Sequence, residues 1–209
     1  VNLGDVVKQV QRLFGDNFEV QIKVDDIIDW ANEAMMAIVR QAETNQASAS
    51  FTYGPTTDGV TLPVQFIGEK RVTFNGVPLE KTSINELDDI GVLPTDIAGT
   101  PVKFYTWGGK MYIWPAPAAS LTNGLIIWYV EAPARVDDVN IQLPIPVVFH
   151  MDVVRMCLVR ARELNEDYEQ ARILKQEIDA NMGQVRFDQE NRARETFPVV
   201  RDDPGDWWG

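Results

Sequence analysis

The sequence predicts an α+β fold: an antiparallel helical bundle built from an N-terminal and a C-terminal helix pair, with a β-rich insert between them and an extended C-terminal arm. Three observations carry that expectation. Apolar residues recur at the helical period towards both ends of the chain. From Ala47 to Val136 the punctuation changes to Gly, Pro, Asn and Asp between short β-branched and aromatic runs. After Phe197, residues Pro198, Pro204 and Gly205 interrupt any helix. The expected boundaries are 1–46 for the N-terminal helices, 47–143 for the β-rich insert, 144–196 for the C-terminal helix pair and 197–209 for the arm.

Val6, Val7, Val10, Leu13 and Phe14 form the stripe of a short amphipathic helix that stops at Gly15-Asp16. Ile27, Ala31, Ala34, Met35, Ile38 and Ala42 repeat at about 3.6 residues, so residues 25–44 read as a second helix, its first turn capped by Asp25 or Asp26. Strands are expected at Ala49–Tyr53, Gly59–Leu62, Lys70–Phe74, Val102–Thr106, Lys110–Trp114 and Leu125–Glu131. Asn75-Gly76 and Gly108-Gly109 supply the tight turns, where positive φ must be tolerated. Ser83 and Glu86 have the spacing of a capping box, which predicts a brief helix over 83–87.

After Pro146, Val147, Val148, Met151, Val154, Leu158, Ala161 and Leu164 line one side of a helix over 147–164. Phe149, Val153, Met156, Cys157 and Val159 make its other side apolar too, so it must be covered from several directions. Asn165-Glu166-Asp167 breaks the pattern. Tyr168, Ala171, Leu174, Ile178 and Val185 then mark a last long helix, antiparallel to its neighbour because the connection is short.

Composition excludes several kinds of chemistry. Among 209 residues, 31 acidic side chains outnumber 19 basic ones, a net charge of -12 that disfavours a general nucleic-acid grip, while 45% hydrophobic content indicates a globular chain. One cysteine and one histidine leave no intramolecular disulfide, no thiolate zinc site and no site needing two imidazoles. Cys157 and His150 would sit two helical turns apart, roughly 10 Å, too far for direct proton transfer. The pairs Asp25-Asp26, Asp88-Asp89, Asp137-Asp138 and Asp202-Asp203 read as helix caps or solvated turns. No catalytic residue, cofactor or metal is expected, and the protein is not expected to be an enzyme. Without an apolar run of about 18 residues, and with Asp5, Lys8 and Arg12 in the first segment, a soluble protein that is not Sec-exported and has no membrane partner is expected.

Several segments, in order, resemble the head-to-tail connector or adaptor proteins of tailed bacteriophages, which dock beneath the portal. They are Ile27 to Ala34, Thr61-Leu62-Pro63, Val72 to Leu79, Thr100 to Tyr105, Lys110 to Pro115, Tyr129 to Pro133, and Glu163 to Ala171. The likeness covers roughly residues 23–182. It implies a helical ring body, a β insert directed outward or towards the tail, and an arm that climbs into the portal. It further implies a homo-oligomeric ring of twelve copies in the virion neck, assembled in the host cytoplasm, with the portal protein above and a tail or nozzle protein below.

A closed ring needs two different faces on each subunit. The two-sided helix and the strand 125–131, apolar on both faces, offer such surface, and Phe149, Val153, Met156 and Trp128 are the expected subunit-interface residues. Phe197, Trp207 and Trp208 are the expected portal-binding anchors of the arm. Each large apolar side chain contributes roughly 1.5–3 kcal/mol on burial, and repetition around a ring turns a weak contact into a durable one. The acidic balance suits a conduit through which viral DNA passes without specific binding. A competing expectation is a receptor- or glycan-binding tail module, in which Tyr105, Trp107, Tyr112, Trp114, Trp128 and Tyr129 stack on a sugar.

Overall fold

The structure, a computed structural model, describes residues 1–15, 21–89 and 98–194. Helix α1 (Leu3–Phe14) opens with a reciprocal cap. The Asn2 side chain accepts the Asp5 N–H at 2.8 Å, and the Asp5 carboxylate accepts the Asn2 N–H at 3.0 Å. It closes on Gly15, whose φ of 94° is the left-handed conformation that favours glycine. Helix α2 (Val24–Ala42) lacks the side-chain cap expected from Asp25 or Asp26: Lys23 holds the cap position, and both carboxylates lie inside the first turn, where they favour the positive end of the helix dipole.

The chain then enters β1 (Gln46–Tyr53), β2 (Val60–Thr61), β3 (Phe66–Phe74), β4 (Val77–Pro78) and β5 (Glu80–Lys81), followed by α3 (Ile84–Asp89). The Ser83–Glu86 capping box forms, with each backbone N–H donating to the other's side chain at 3.2 Å. The Thr82 hydroxyl also donates to Glu86, and these bonds hold its carboxyl below the usual range. Strands β6 (Ala98–Gly99), β7 (Lys103–Trp107), β8 (Lys110–Trp114), β9 (Ala116–Pro117) and β10 (Leu121–Glu131) lead, through a 3-10 turn at Val147–Phe149, to α4 (His150–Leu164) and α5 (Tyr168–Arg194).

One sheet has the order β1-β10-β3-β4 and a second the order β2-β8-β7-β5. Asn75-Gly76 joins β3 to β4 with φ of 49° and 78°, and Gly108-Gly109 joins β7 to β8 with φ of 56° and 75°. Both are two-residue hairpin turns that need positive φ twice. Tyr53, Val72, Phe74, Leu125 and Ile127 of the first sheet and Val60, Phe104, Met111 and Ile113 of the second share one apolar cluster. The Tyr53 hydroxyl accepts the Ile113 N–H at 3.4 Å and ties the sheets, and burial raises that phenol. Strands β4, β5, β6 and β9 are two residues each, too short to carry an alternating pattern.

The expected antiparallel helical bundle is not what forms. The chain is α+β, and among the described residues five α-helices stand beside ten strands in sheets. One antiparallel hairpin is present, α4–α5, where Lys175 bonds Glu163 at 2.6 Å and Asn181 donates to Asp152 at 2.5 Å. Helices α1 and α2 pack on α4, yet the cluster they share is completed by Val130 at the end of β10 and by Val136, Leu143 and Ile145 from the segment before α4. The helices therefore do not enclose a core of their own. Physically, the alternation of β10 sends Leu125, Ile127 and Tyr129 to the sheet cluster and Val130 to the helices, so one strand serves both cores.

Asp152 is fully buried, accepting from Arg155 at 2.9 Å and from Asn181, a polar bridge that sets the register of α5 against α4.

Candidate functional site

Two open apolar grooves flank the α4–α5 seam. The first, about 380 Å³, lies between α2, α4 and α5. On α2, Trp30, Ala34 and Ala37 follow one another at four and three residues and share a face. Met156 and Val159 on α4 and Ile178 on α5 complete the apolar floor. Its rim is ionic: Arg160 approaches Glu33 at 3.5 Å and Glu163 at 3.8 Å, and Glu163 also holds Lys175.

The second groove, about 460 Å³, is lined by Met151, Val154 and Leu158 of α4, by Ile173 and Leu174 of α5, and by Leu13 at the end of α1. Leu13, Met151 and Ile173 are each close to half exposed. Arg155 and Arg162 stand in this groove, and no acidic residue lines it. Arg162 also lies over the Phe14 ring at 5.0 Å, a cation–π contact that holds α1 to α4. At 3.6 residues per turn, Met156, Val159, Arg160 and Glu163 occupy a different face of α4 from Met151, Val154, Arg155 and Leu158. The two grooves are thus non-equivalent surfaces of one hairpin.

The residues singled out from the sequence fall in different places. Phe149 is 1% exposed and Val153 0%, both inside the helical cluster, so neither presents an outer surface. The cause is the cover supplied by α1, α2, α5 and residues 136–145. Met156 is half-buried and lines the first groove. Trp128 is half-buried on the outer face of β10, with the Arg71 guanidinium 5.5 Å over its ring. Phe197, Trp207 and Trp208 lie outside the described residues.

The aromatic set of the sheets does not form a platform. Tyr105 and Tyr112 stack on one another at 5.0 Å, Tyr105 and Tyr129 are buried, and Trp107 alone of the six is strongly exposed. Sequence reasoning missed Trp30, Leu13 and Ile173 as groove residues. Trp30 sits at the i+3 position from Ile27, at the flank of the buried stripe, which is the one signal that could have found it.

Nucleophilic chemistry at Cys157 has no support. The His150 Nε2 donates to the Ile145 carbonyl at 3.1 Å, and burial pushes the Cys157 thiol up to about 12. At pH 8 a disulfide reagent should therefore label Cys157 only as fast as the native subunit unfolds; rapid stoichiometric labelling of folded protein would contradict this burial. Among the described residues, no group of three or more His, Cys, Asp or Glu side chains is placed to hold a metal ion, and no helix is long and apolar enough to cross a membrane.

Both grooves leave apolar surface open on the subunit. The family model described as SU10 adaptor protein matches residues 1–202. The chain belongs to the SU10 adaptor protein family. It is a structural adaptor of a bacteriophage. No curated protein matches the chain. In this adaptor the match runs through both helical regions and the sheets alike, so the grooves and the β region belong to one family unit.

Proposed function

We propose that this adaptor closes into a ring beneath the portal, joins head to tail in the virion neck, and leaves a central passage for DNA. The observation that carries the reading is an open apolar groove and, elsewhere on the same subunit, an exposed apolar ridge, because a ring closes through two different faces of each subunit. The groove of Trp30, Met156 and Ile178 receives the neighbouring subunit. Val147 and Val148, 76% and 59% exposed in the 3-10 turn before α4 and outside that groove, are the apolar ridge that fills it. Twelve copies are the expected closure, with segment 47–143 turned to the tail or nozzle protein. The net charge of -12 supports a lumen that repels phosphates and lets the duplex slide. Phe197, Trp207 and Trp208 anchor each arm in the portal.

Ala37→Arg tests the ring. Ala37 is exposed on α2 and lines the groove, and an arginine four residues after Glu33 suits the helix. The variant subunit should melt within about 2 °C of the parent, since exposed substitutions cost roughly 0.5 kcal/mol or less. Assembly on the portal, read by native mass spectrometry, should fall at least tenfold. Rings formed as readily as by the parent would refute this assignment of the groove.

A further inference from the structure

Among the described residues, strand β1 stands at the end of its sheet and pairs with β10 alone. The Asn45 carbonyl accepts the Glu131 N–H at 2.7 Å, one place beyond the Gln46–Val130 pair in the same register. An antiparallel ladder alternates from there, so Ala47, Ala49 and Phe51 turn their N–H and C=O groups to β10. Gln46, Ser48, Ser50 and Thr52 turn theirs outward, and all four residues are exposed. Edges of this kind are ordinarily guarded by charge, proline, bulges or shortness. Strand β1 has eight residues without a charge or a proline, and the irregularity before Tyr53 places its extra residues on β10.

No other edge among the described residues is like it. Strand β3 bulges twice against β10, at Ile67 and at Lys70, and carries Glu69, Lys70 and Arg71. Strands β2, β4, β5, β6 and β9 have two residues each, and β5 and β2 cover part of β7 and β8. The strand that does match β1 is β1 of a second copy. Run antiparallel to itself with Ala49 opposite the partner's Ala49, it sets Ser48 against the partner's Ser50 and Gln46 against the partner's Thr52. Each such pair exchanges two backbone hydrogen bonds, so the outward groups of all four residues are used. Ala47 meets the partner's Phe51, small against large, on the face that packs on the sheet cluster. Methyl groups alone stand at the axis, where the strands approach to about 4.5 Å between Cα atoms. No like charges meet.

We propose that two free subunits pair through β1 in this register, joining their four-stranded sheets edge to edge. Pairing covers a backbone edge that otherwise templates aggregation. One strand pair is a small contact beside the roughly 1,200 Å² that stable complexes bury, so the dimer is reversible. A two-fold pair points its subunits in opposite directions, whereas a ring repeats one direction about its axis. The dimer is therefore a state of the free protein, and it stands independently of the ring reading.

The experiment uses the full chain without portal. The mass read by sedimentation equilibrium should rise from one subunit towards two between about 5 and 500 µM. Ser48→Pro should weaken pairing at least tenfold with the melting temperature near that of the parent, because the Ser48 N–H points outward and the β10 ladder loses no bond. Ala49→Cys reads the register directly. The axis sets the two substituted side chains at a spacing that a disulfide spans, and the buried Cys157, its thiol pushed up to about 12, does not compete. Under mild oxidant Ala49→Cys should cross-link at least tenfold faster than Ala47→Cys, whose substituted positions lie ~13 Å apart in this register. If Ser48→Pro does not fold, the cross-linking comparison decides alone. A parent that stays single at every concentration, or equal cross-linking by the two cysteine variants, would overturn the proposal. So would a dimer kept in Ser48→Pro and lost in Ala37→Arg, which would place the contact in the first groove.

Discussion

Deleting residues 197–209 should abolish attachment to the portal and leave the rest of the adaptor folded. Every apolar side chain in the two described clusters lies at or before Val185, so the deletion removes none of them, and the melting temperature should move by no more than about 3 °C. The loss of attachment follows from the aromatics. Phe197, Trp207 and Trp208 together contribute on the order of 5 kcal/mol when buried, offset in part by the cost of ordering the arm. On the proposed ring a single arm would bind weakly, but simultaneous arms would dissociate together only rarely. Replacing the three aromatics with alanine should reproduce the deletion in a sedimentation or native-mass assay with isolated portal. Undiminished binding by either variant would remove the arm from the function.

The second large effect is expected at Phe149. The sequence reading places it on a subunit interface, whereas it is 1% exposed within the helical cluster. Phe149→Ala removes a buried aromatic and leaves a cavity, at a cost of about 3–5 kcal/mol. For a chain of this size that lowers the melting temperature of the lone subunit by roughly 6–20 °C. Val147→Ala, two residues earlier and 76% exposed, should shift it by less than about 2 °C. An interface role for Phe149 makes the opposite forecast: an unchanged lone subunit with a defect only in assembly. Calorimetry of the two variants separates the possibilities.

The contrast between these neighbours shows where sequence reasoning loses its hold. A helix apolar on all sides has one pattern whether its cover comes from its own chain or from another. Here α1, α2 and α5 cover most of α4, and Val136, Leu143 and Ile145 close what they leave. Those three residues sit in a stretch without helical or strand period, so nothing in their spacing announces that they complete a helical core. Without that closure the helices looked self-sufficient, which is why a bundle was expected. Strand β10 misled in the same way: both of its faces are apolar because one feeds the sheet cluster and the end of the other feeds the helices.

Much of the local chemistry was legible, the cap of α2 apart. The Asn75-Gly76 and Gly108-Gly109 hairpins, the Ser83–Glu86 box, the break at Asn165 and strand β8 all follow from short-range φ preferences and hydrogen bonding, and each is present. So is the α+β class, because the change from a period near four to a period of two is written along the chain. Only the tertiary structure decided which apolar faces are closed and which stay open. Phe149 and Val153 went inside, while Trp30, Leu13 and Ile173 came to border grooves. Burial depends on what arrives from distant segments, and residues far apart in the chain carry no local mark of their meeting.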